Sequence, residues 1–206
     1  MVLLHWYKSM NKQPLPELIL ASSSPRRQQL LTEAGYPFQV DPPHESAECG
    51  ICSRETPPEM VARLAFQKGA DVAQRTERGL VVACDTVAEC CGHILGKPKH
   101  REHAREMLQL LSGKEHRVYS GLCLWPRPGS VHHVQVDVTR LVMDPLTPAM
   151  LDEYLATDAW EGKAGAFGYQ DGLDWVHITE GSESNVVGLP LELLARMLAD
   201  ISSPNL

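Results

Sequence analysis

The sequence predicts an α/β fold with a mixed central sheet, and three observations support this expectation. Short apolar runs such as Leu18 to Ala21 and Leu80 to Cys84 show no polar alternation, which is typical of strands buried on both faces. Segments with apolar residues at helical spacing alternate with these runs. The region around Gly92 has the pattern of a tight hairpin, which adds an antiparallel pair to the sheet.

Helix starts are indicated by a capping residue followed by proline, at Ser24-Pro25 and again at Thr147-Pro148. Gly35 suits the position just after the first helix ends. In the second helix Lys68 lies on the edge of the apolar stripe and is expected to reach outward. The predicted elements are, in order, strand 18–21, helix 25–34, strand 38–40, a helix from 57, strand 80–84, hairpin 87–95, helix 102–111, strands 116–125 and 131–143, helix 148–155, strand 175–178 and helix 189–198.

Composition limits the class of partner. The 206 residues carry a formal net charge of -7, which argues against a large basic face for duplex nucleic acid. The few aromatic residues are scattered and form no stacking platform for single strands. No apolar run is long enough to span a bilayer, and the opening MVLLHWYKSMNKQP lacks the basic and apolar regions of a signal peptide. We therefore expect a cytoplasmic protein with no membrane or nucleic-acid partner.

The cysteines raise the question of a zinc site, because Cys49 and Cys52 form one close pair and Cys90-Cys91 another. Adjacent cysteines in an extended segment point to opposite faces, which argues against such a site. Without a secretory signal the cysteines are expected to be reduced. Two others lie in apolar runs and are predicted to be core residues, Cys84 and Cys123.

The stretch LILASSSPRRQQLL joins a buried strand to a helix start that is rich in hydroxyls and guanidinium groups. A helix N-terminus offers unpaired backbone N–H groups and a partial positive charge, to which Arg26 and Arg27 add forked donors. This combination fits a polyphosphate. The alternative is a capped helix with two solvated arginines, and the stretch is not a Walker A loop because the G-x-x-x-x-G-K-[ST] pattern is absent.

Asp85 follows the apolar run that ends at Cys84, so it is predicted to lie at the carboxyl-terminal tip of a buried strand, where α/β folds place ligands. A carboxylate there could hold magnesium or accept a proton from water. The alternative is an ordinary turn or cap aspartate. Lys97 and Lys163 could likewise belong to a site or be ordinary solvated lysines, since most lysines are surface residues.

Six segments occur in order along the chain: ASSSPRRQQLL, ACDTV, ILGKP, LLSGKEHRVYSG, GKAGAFGYQ and NVVGLPL. With these segments the chain resembles the Maf family of nucleoside triphosphate pyrophosphatases from about residue 18 to residue 198. The resemblance implies a two-lobed fold similar to that of the inosine triphosphate pyrophosphatases, with a cleft between the lobes. It also implies hydrolysis of a nucleoside triphosphate to the monophosphate and pyrophosphate, a divalent metal (Mg or Mn) and a homodimer. We expect residues 1–206 to be a single domain of this kind, with residues 1–14 as an extension outside the pattern.

The resemblance assigns roles to individual positions. Asp85 matches the proton acceptor and, with Glu45, a metal ligand. Lys97 matches a catalytic cation of the charged cleft, and Lys68 a substrate-binding one. The positions that match the phosphate-binding turn are Ser22, Ser24, Arg26 and Arg27.

Three positions distinguish the branches of the family by the base that they accept. Arg26, Thr86 and Gln170 resemble the branch that hydrolyses dTTP, UTP and related pyrimidine nucleotides and so sanitises nucleotide pools. The methylated-GTP branch would show glutamine at 86 and glutamate at 170. The chain departs from the pattern at two positions, with Tyr169 where a small aliphatic residue is usual and Asp171 where glycine is usual. A nucleotide-binding regulator, for instance of cell division, is the alternative to an enzyme.

Overall fold

The computed structural model describes residues 16–47 and 55–202, and within these ranges the chain forms a seven-stranded sheet with α-helices between the strands. The strands are β1 (Leu18–Leu20), β2 (Phe38–Val40), β3 (Gly79–Cys90), β4 (His93–Leu95), β5 (Glu115–Arg127), β6 (His133–Met143) and β7 (Val176–Glu180). The helices are α1 (Pro25–Glu33), α2 (Pro57–Ala73), α3 (Arg101–Leu111), α4 (Pro148–Ala156), α5 (Glu183–Val187) and α6 (Leu191–Ser202).

The strand order is β2-β1-β3-β5-β6-β7, and β4 pairs with β3 outside this path. β1 is parallel to both β2 and β3, with Leu18 opposite Leu80 in the register with β3. The β3–β4 and β6–β7 pairs are antiparallel. The predicted α/β class with a mixed sheet is therefore confirmed.

The chain divides into two compact units. The first unit comprises residues up to Asp85 together with Ser120–Asp137 and the segment from Gly188 onward. Its core includes buried apolar residues from β1 and the residue after it, and from α2, β3 and β5: Ile19, Ala21, Ala65, Val72, Ala73, Val81, Ala83 and Cys123. Gly121 of β5 lies directly against the carbonyl of Val61 in α2, where no Cβ would fit, so this glycine allows the helix to approach the sheet closely.

The second unit comprises Thr86–Tyr119 and Val138–Val187. One face of α3 is buried in its core, with Ala104, Met107, Leu108 and Leu111 all inward. Tyr154 and Trp160 add aromatic surface from α4 and the turn that follows it.

One predicted boundary was wrong. β3 does not end at Cys84 but runs without interruption from Gly79 to Cys90, so Asp85 and Thr86 lie within a strand and not at its tip. An aspartate inside a strand is tolerated here because its carboxylate has a buried cationic partner, described below. The short helix α5 was not predicted either, since five residues are too few to show helical periodicity.

The argument about adjacent cysteines was also wrong. The Sγ atoms of Cys90 and Cys91 lie 3.7 Å apart, because Cys91 leaves the strand with a left-handed φ of 52° at the hairpin turn. Burial, together with the hydrogen bond to Cys91, raises the pKa of Cys90 to about 11. Cys84 and Cys123 are buried as predicted, and the four cysteines in the described part of the chain are free thiols. Cys49 and Cys52 lie outside the described residues.

In the described ranges no helix combines the length and the apolar character needed to cross a bilayer.

Candidate active site

The turn between β1 and α1 has the architecture that its sequence predicted. Ser24 occupies the N-cap position and Pro25 opens the helix, but the Ser24 hydroxyl makes no capping hydrogen bond. Ser22, only 5% exposed, accepts hydrogen bonds from the backbone N–H of Ser24 at 3.2 Å and from Nη1 of Arg27 at 3.2 Å. A serine hydroxyl can accept two hydrogen bonds and still donate one, so Ser22 both orders the turn and keeps a donor for an anion.

Arg27 ties this turn to a distant segment of the first unit. Its Nε donates to the carbonyl oxygen of Gly188 at 2.7 Å, and the Sγ of Cys84 donates to the same oxygen at 3.3 Å. Arg27 thus connects the turn between β1 and α1 with the segment that follows α5. The sequence predicts a phosphate contact for Arg27 and does not indicate this hydrogen bond to Gly188.

The central polar contact of the first unit is an ion pair between Lys68 of α2 and Asp85 of β3. Lys68 Nζ donates to Oδ1 of Asp85 at 2.7 Å, and the two side chains are only 7% and 14% exposed. The expectation that Lys68 reaches outward was wrong, because its ammonium finds this carboxylate on the inner side of the helix. Breaking a buried ion pair typically costs about 3–5 kcal/mol, so this pair is a structural contact of the first unit.

Glu45 lies on a separate, exposed turn, the 3₁₀ segment Glu45–Ala47. The preceding residue, His44, contacts Asp71 through Nδ1 at 2.9 Å, and Arg75 holds Asp71 at 2.8 Å and Asp41 at 2.8 Å. The hydrogen bond from Arg75 holds the pKa of Asp71 well below its ordinary value. This network fixes the backbone on the N-terminal side of Glu45 against the end of α2.

The second unit contains the remaining predicted site residues, Thr86, Lys97 and Gln170. Thr86 is half-buried in β3, whereas Lys97 and Gln170 are exposed. Gln170 is the middle residue of the 3₁₀ turn Tyr169–Asp171.

The segment with Lys97 is joined to the glycine-rich loop that leads to Gln170. The backbone N–H of Gly165 donates to the carbonyl of Gly96 at 3.1 Å. Gly165 has a φ of 71°, and a Cβ there would lie 3.1 Å from Phe167 and 3.2 Å from Ala88. Glycine is therefore required at this contact.

Glu45 and Asp85 form the donor set predicted for a divalent metal. The described residues contain no group of three or more His, Cys, Asp or Glu side chains that could hold a metal ion. Magnesium is commonly bound by one or two carboxylates while substrate phosphates and water supply the other ligands. Two carboxylates are too few for a closed structural metal site, and their number matches that of a magnesium ion whose other ligands come from substrate and water.

The sequence did not predict the polar contacts of two residues in the segment NVVGLP, Gly188 and Asn185. The carbonyl oxygen of Gly188 accepts the hydrogen bond from Arg27 described above. Asn185 is fully buried in the second unit. Asn185 Nδ2 donates to the carbonyl of Val118 at 3.2 Å and to Oγ1 of Thr139 at 2.9 Å. The available signal was the segment NVVGLP, which was recognised as a motif but given no physical role.

Comparison with known families places most of this chain in one of them. Residues 17–201 match the family described as Maf-like protein. A dTTP/UTP pyrophosphatase from Rhodopirellula baltica is 62% identical over 187 residues, which cover 90% of this chain and 82% of that protein. A dTTP/UTP pyrophosphatase from Bacillus cereus is 37% identical over 199 residues, 96% of this chain and 95% of that protein.

Solved structures resemble the fold at much lower identity. The Ham1 protein of Staphylococcus aureus aligns with a TM-score of 0.50 and 13% identity, covering 90% of this chain and 99% of that one. The HAM1 protein from Coxiella burnetii aligns with a TM-score of 0.50 and 15% identity, covering 91% and 100%. At these identities the likeness concerns the fold, and it agrees with the architecture expected from the sequence.

Proposed function

Because the chain belongs to the Maf family, we propose that it is a nucleoside triphosphate pyrophosphatase that hydrolyses dTTP, UTP and related pyrimidine nucleotides, and so sanitises the nucleotide pool. The observation that supports this most is the buried Lys68–Asp85 pair in the same unit as the turn from Ser22 to Arg27. Hydrolysis of a polyphosphate needs two parts: a carboxylate with a fixed orientation, and a cluster of hydrogen-bond donors that bind the anion. Relatives named dTTP/UTP pyrophosphatase, one of them 62% identical, support the choice of substrate.

In the proposed reaction a water molecule attacks the α-phosphorus while Asp85 accepts its proton. The bond between the α-phosphorus and the bridging oxygen breaks, and pyrophosphate leaves with the electron pair of that bond. Lys68 holds Oδ1 of Asp85, so the carboxylate keeps one orientation and the proton passes to the other oxygen. In this mechanism Lys68 positions the Asp85 carboxylate and also balances its buried charge.

The polyphosphate is proposed to lie at the N-terminus of α1. Its charge is offset there by Arg26 and Arg27, by the hydroxyls of Ser22 and Ser24 and by the helix N-terminus. Lys97 adds a cation that stabilises charge on the leaving pyrophosphate. Glu45 and Asp85 would hold a magnesium or manganese ion, which supplies Lewis-acid stabilisation of the phosphate oxygens when bound.

The base is proposed to contact Arg26, Thr86 and Gln170. The amide of Gln170 can donate and accept at once, which suits the O4 and N3 edge of uracil or thymine. We also infer that residues 1–206 act as one domain, in a cytoplasmic homodimer. Light scattering coupled to size-exclusion chromatography tests the dimer, and a mass of one chain would contradict it.

The function is tested by pyrophosphate release from dTTP, UTP, CTP, GTP and 7-methyl-GTP, with magnesium or manganese. The quantity measured is the orthophosphate that inorganic pyrophosphatase forms from the released pyrophosphate. The proposal expects the largest kcat/KM for dTTP and UTP. A largest value for 7-methyl-GTP would contradict the substrate and favour the methylated-GTP branch. Binding of nucleotides without turnover of any of them would contradict the enzyme and favour a nucleotide-binding regulator.

A further inference from the structure

The turn that carries Gln170 is too short to be rigid by itself. It is one 3₁₀ turn, Tyr169–Asp171, closed by the hydrogen bond from the N–H of Asp171 to the carbonyl of Gly168 at 3.0 Å. Short 3₁₀ segments have poor hydrogen-bond geometry and gain little stability from their own backbone. A side chain that must discriminate between two bases needs a better-defined position than this turn provides alone.

Two side chains supply that definition from outside the turn. Lys163, at the start of the glycine-rich loop, forms an ion pair with Oδ2 of Asp171. Although Asp171 lies on the surface, the paired side chains are only 14% and 28% exposed. Tyr154 of α4, which is buried, donates its hydroxyl to the same Oδ2 at 3.5 Å.

The ion pair packs closely against the backbone beneath it. The ion pair lies directly over Gly168, where a Cβ would collide with both Lys163 Nζ and Asp171 Oδ2. The pair therefore closes residues 163–171 into a loop whose two ends are held together. Tyr154 connects that loop to the core of the second unit, where its ring packs edge-on against Trp175 at 5.4 Å.

The network also has an electrostatic signature. Burial, and next the charge of Asp171, raise the pKa of Tyr154, so its hydroxyl stays protonated as the donor. The opposite charges of Lys163 and Asp171 compensate each other. They therefore present little net charge to a phosphate, which favours a role in positioning over a role in binding the triphosphate.

We infer that Lys163, Asp171 and Tyr154 form a brace that positions Gln170, and that this brace sharpens the enzyme's preference for uracil and thymine. The inference rests on the proposed function, in which Gln170 contacts the base. It adds three residues with no assigned role to the determinants of specificity. One of them, Asp171, stands where glycine is usual in the family pattern, so the brace is a property of this chain's own sequence.

The test measures kcat/KM for dTTP, UTP and CTP in the wild type, in Asp171→Asn and in Lys163→Met. The matched control is Asp152→Asn, which breaks the exposed Arg105–Asp152 ion pair in the same unit. We expect Asp171→Asn and Lys163→Met to lower kcat/KM for dTTP and UTP about 10-fold and for CTP less than threefold, because a misplaced recognition group costs mainly the substrate that it recognises. Lys163→Arg should retain most of the preference, and the control should leave the ranking unchanged. An equal loss on all three substrates, or no loss, overturns the inference.

A readout without turnover separates this inference from the proposed function. Hydrogen exchange of the peptide that spans residues 166–173 is compared in the unliganded wild type, Asp171→Asn and Asp152→Asn. The brace predicts at least threefold faster exchange in Asp171→Asn alone, and unchanged exchange overturns it whatever nucleotide the wild type hydrolyses. If Asp171→Asn does not fold, Tyr154→Phe is used instead, because it removes only the hydroxyl. It should speed the exchange of the same peptide and weaken the preference for dTTP and UTP, both by a smaller factor. Exchange and substrate ranking equal to those of the wild type would overturn the inference.

Discussion

The two units of the chain hold their candidate site residues in different ways. In the first unit Ser22 and the Lys68–Asp85 pair are buried, and their polar atoms are engaged with one another or with the backbone. In the second unit Lys97 and Gln170 are exposed, and their positions depend on the short segments that carry them. The proposed proton acceptor and its partner thus lie in the interior of the first unit, whereas the groups of the second unit that are proposed to contact pyrophosphate and the base, Lys97 and Gln170, lie on exposed segments.

This difference determines what a substitution does. Replacing a buried, paired group removes its part in the reaction and also leaves its partner buried without an opposite charge or a hydrogen bond. The free energy of unfolding and the activity therefore fall together. Replacing an exposed group removes its contact with the substrate and leaves the fold almost unchanged. The two effects can be separated by measuring unfolding and turnover on the same variants.

The largest effect is expected for Asp85→Asn. The variant loses the proposed proton acceptor without a change of volume, so turnover of dTTP should fall by about 10²- to 10⁴-fold, the usual contribution of a positioned general base. The control is Asp144→Asn, which alters an exposed carboxylate paired with His177. Steady-state rates under saturating dTTP are the measurement, and a variant that keeps most of the wild-type rate would show that Asp85 is not the base.

Lys68→Met and Lys97→Met compare the same replacement at a buried and an exposed lysine. Lys68→Met leaves the Asp85 carboxylate buried without its partner and should lower the free energy of unfolding by about 3–5 kcal/mol. Lys97→Met should change that free energy by less than about 0.5 kcal/mol. It should nevertheless raise the barrier to turnover by roughly 2–4 kcal/mol, because it removes a cation from the leaving group.

Urea denaturation and steady-state kinetics on both lysine variants give these values. Equal losses in the free energy of unfolding at the two positions would contradict the claim that the first unit holds its site residues in its core and the second holds them on its surface. A raised KM with unchanged kcat in Lys97→Met would reduce Lys97 to a residue that binds substrate and transition state equally.

Gln170→Glu is expected to change specificity by a smaller amount. A carboxylate can only accept hydrogen bonds, so it loses the donor that the O4 of uracil or thymine requires. Gln170 is exposed in the structure, so we expect the low end of the cost of an unpaired polar group, about 1 kcal/mol for dTTP and UTP. The kcat/KM values for dTTP, UTP, CTP, GTP and 7-methyl-GTP provide the check, and an unchanged ranking would contradict the assignment.

The smallest effect concerns pH, and it tests whether buried groups in the second unit behave like those in the first. His116 is 2% exposed and packs edge-on against Phe167 at 5.4 Å. Burial lowers the pKa of His116 below its ordinary 6.5, so in acid the unfolded state binds the proton more readily than the folded state. The stability present above the ordinary pKa is therefore lost as the pH falls from about 6.5 through the folded-state pKa.

Urea denaturation at pH 7.5 and at lower pH measures this loss. His116→Gln should flatten the dependence of the free energy of unfolding on pH, whereas His93→Gln, at an exposed position of the same unit, should not. Equal pH dependence in the wild type and in His116→Gln would contradict the assignment.

The features that the sequence predicted well are local ones. Ser24-Pro25 specifies a helix start within two residues, and Leu80 to Cys84 is a buried strand because each of its side chains is apolar. Candidate site residues could be proposed from the motifs for the same reason, since each motif lies within one short segment.

The features that could not be predicted depend on contacts between segments. Lys68 and Asp85 are 17 residues apart, and nothing in the helical stripe shows that this lysine turns inward to a carboxylate. That contact also explains why β3 continues through Asp85, which looked like the end of a strand. Arg27 and Gly188 are 161 positions apart in the sequence, so the hydrogen bond that connects them could not be predicted from either segment.

The most direct test of the account is to hydrolyse dTTP in ¹⁸O-labelled water and to analyse both products by mass spectrometry, with Asp85→Asn as the control. Attack on the α-phosphorus by a water that Asp85 deprotonates predicts one ¹⁸O atom in dTMP and unlabelled pyrophosphate, and it predicts that Asp85→Asn forms little labelled dTMP in the same time. Label in pyrophosphate, or dTDP and inorganic phosphate as products, would contradict the proposed chemistry.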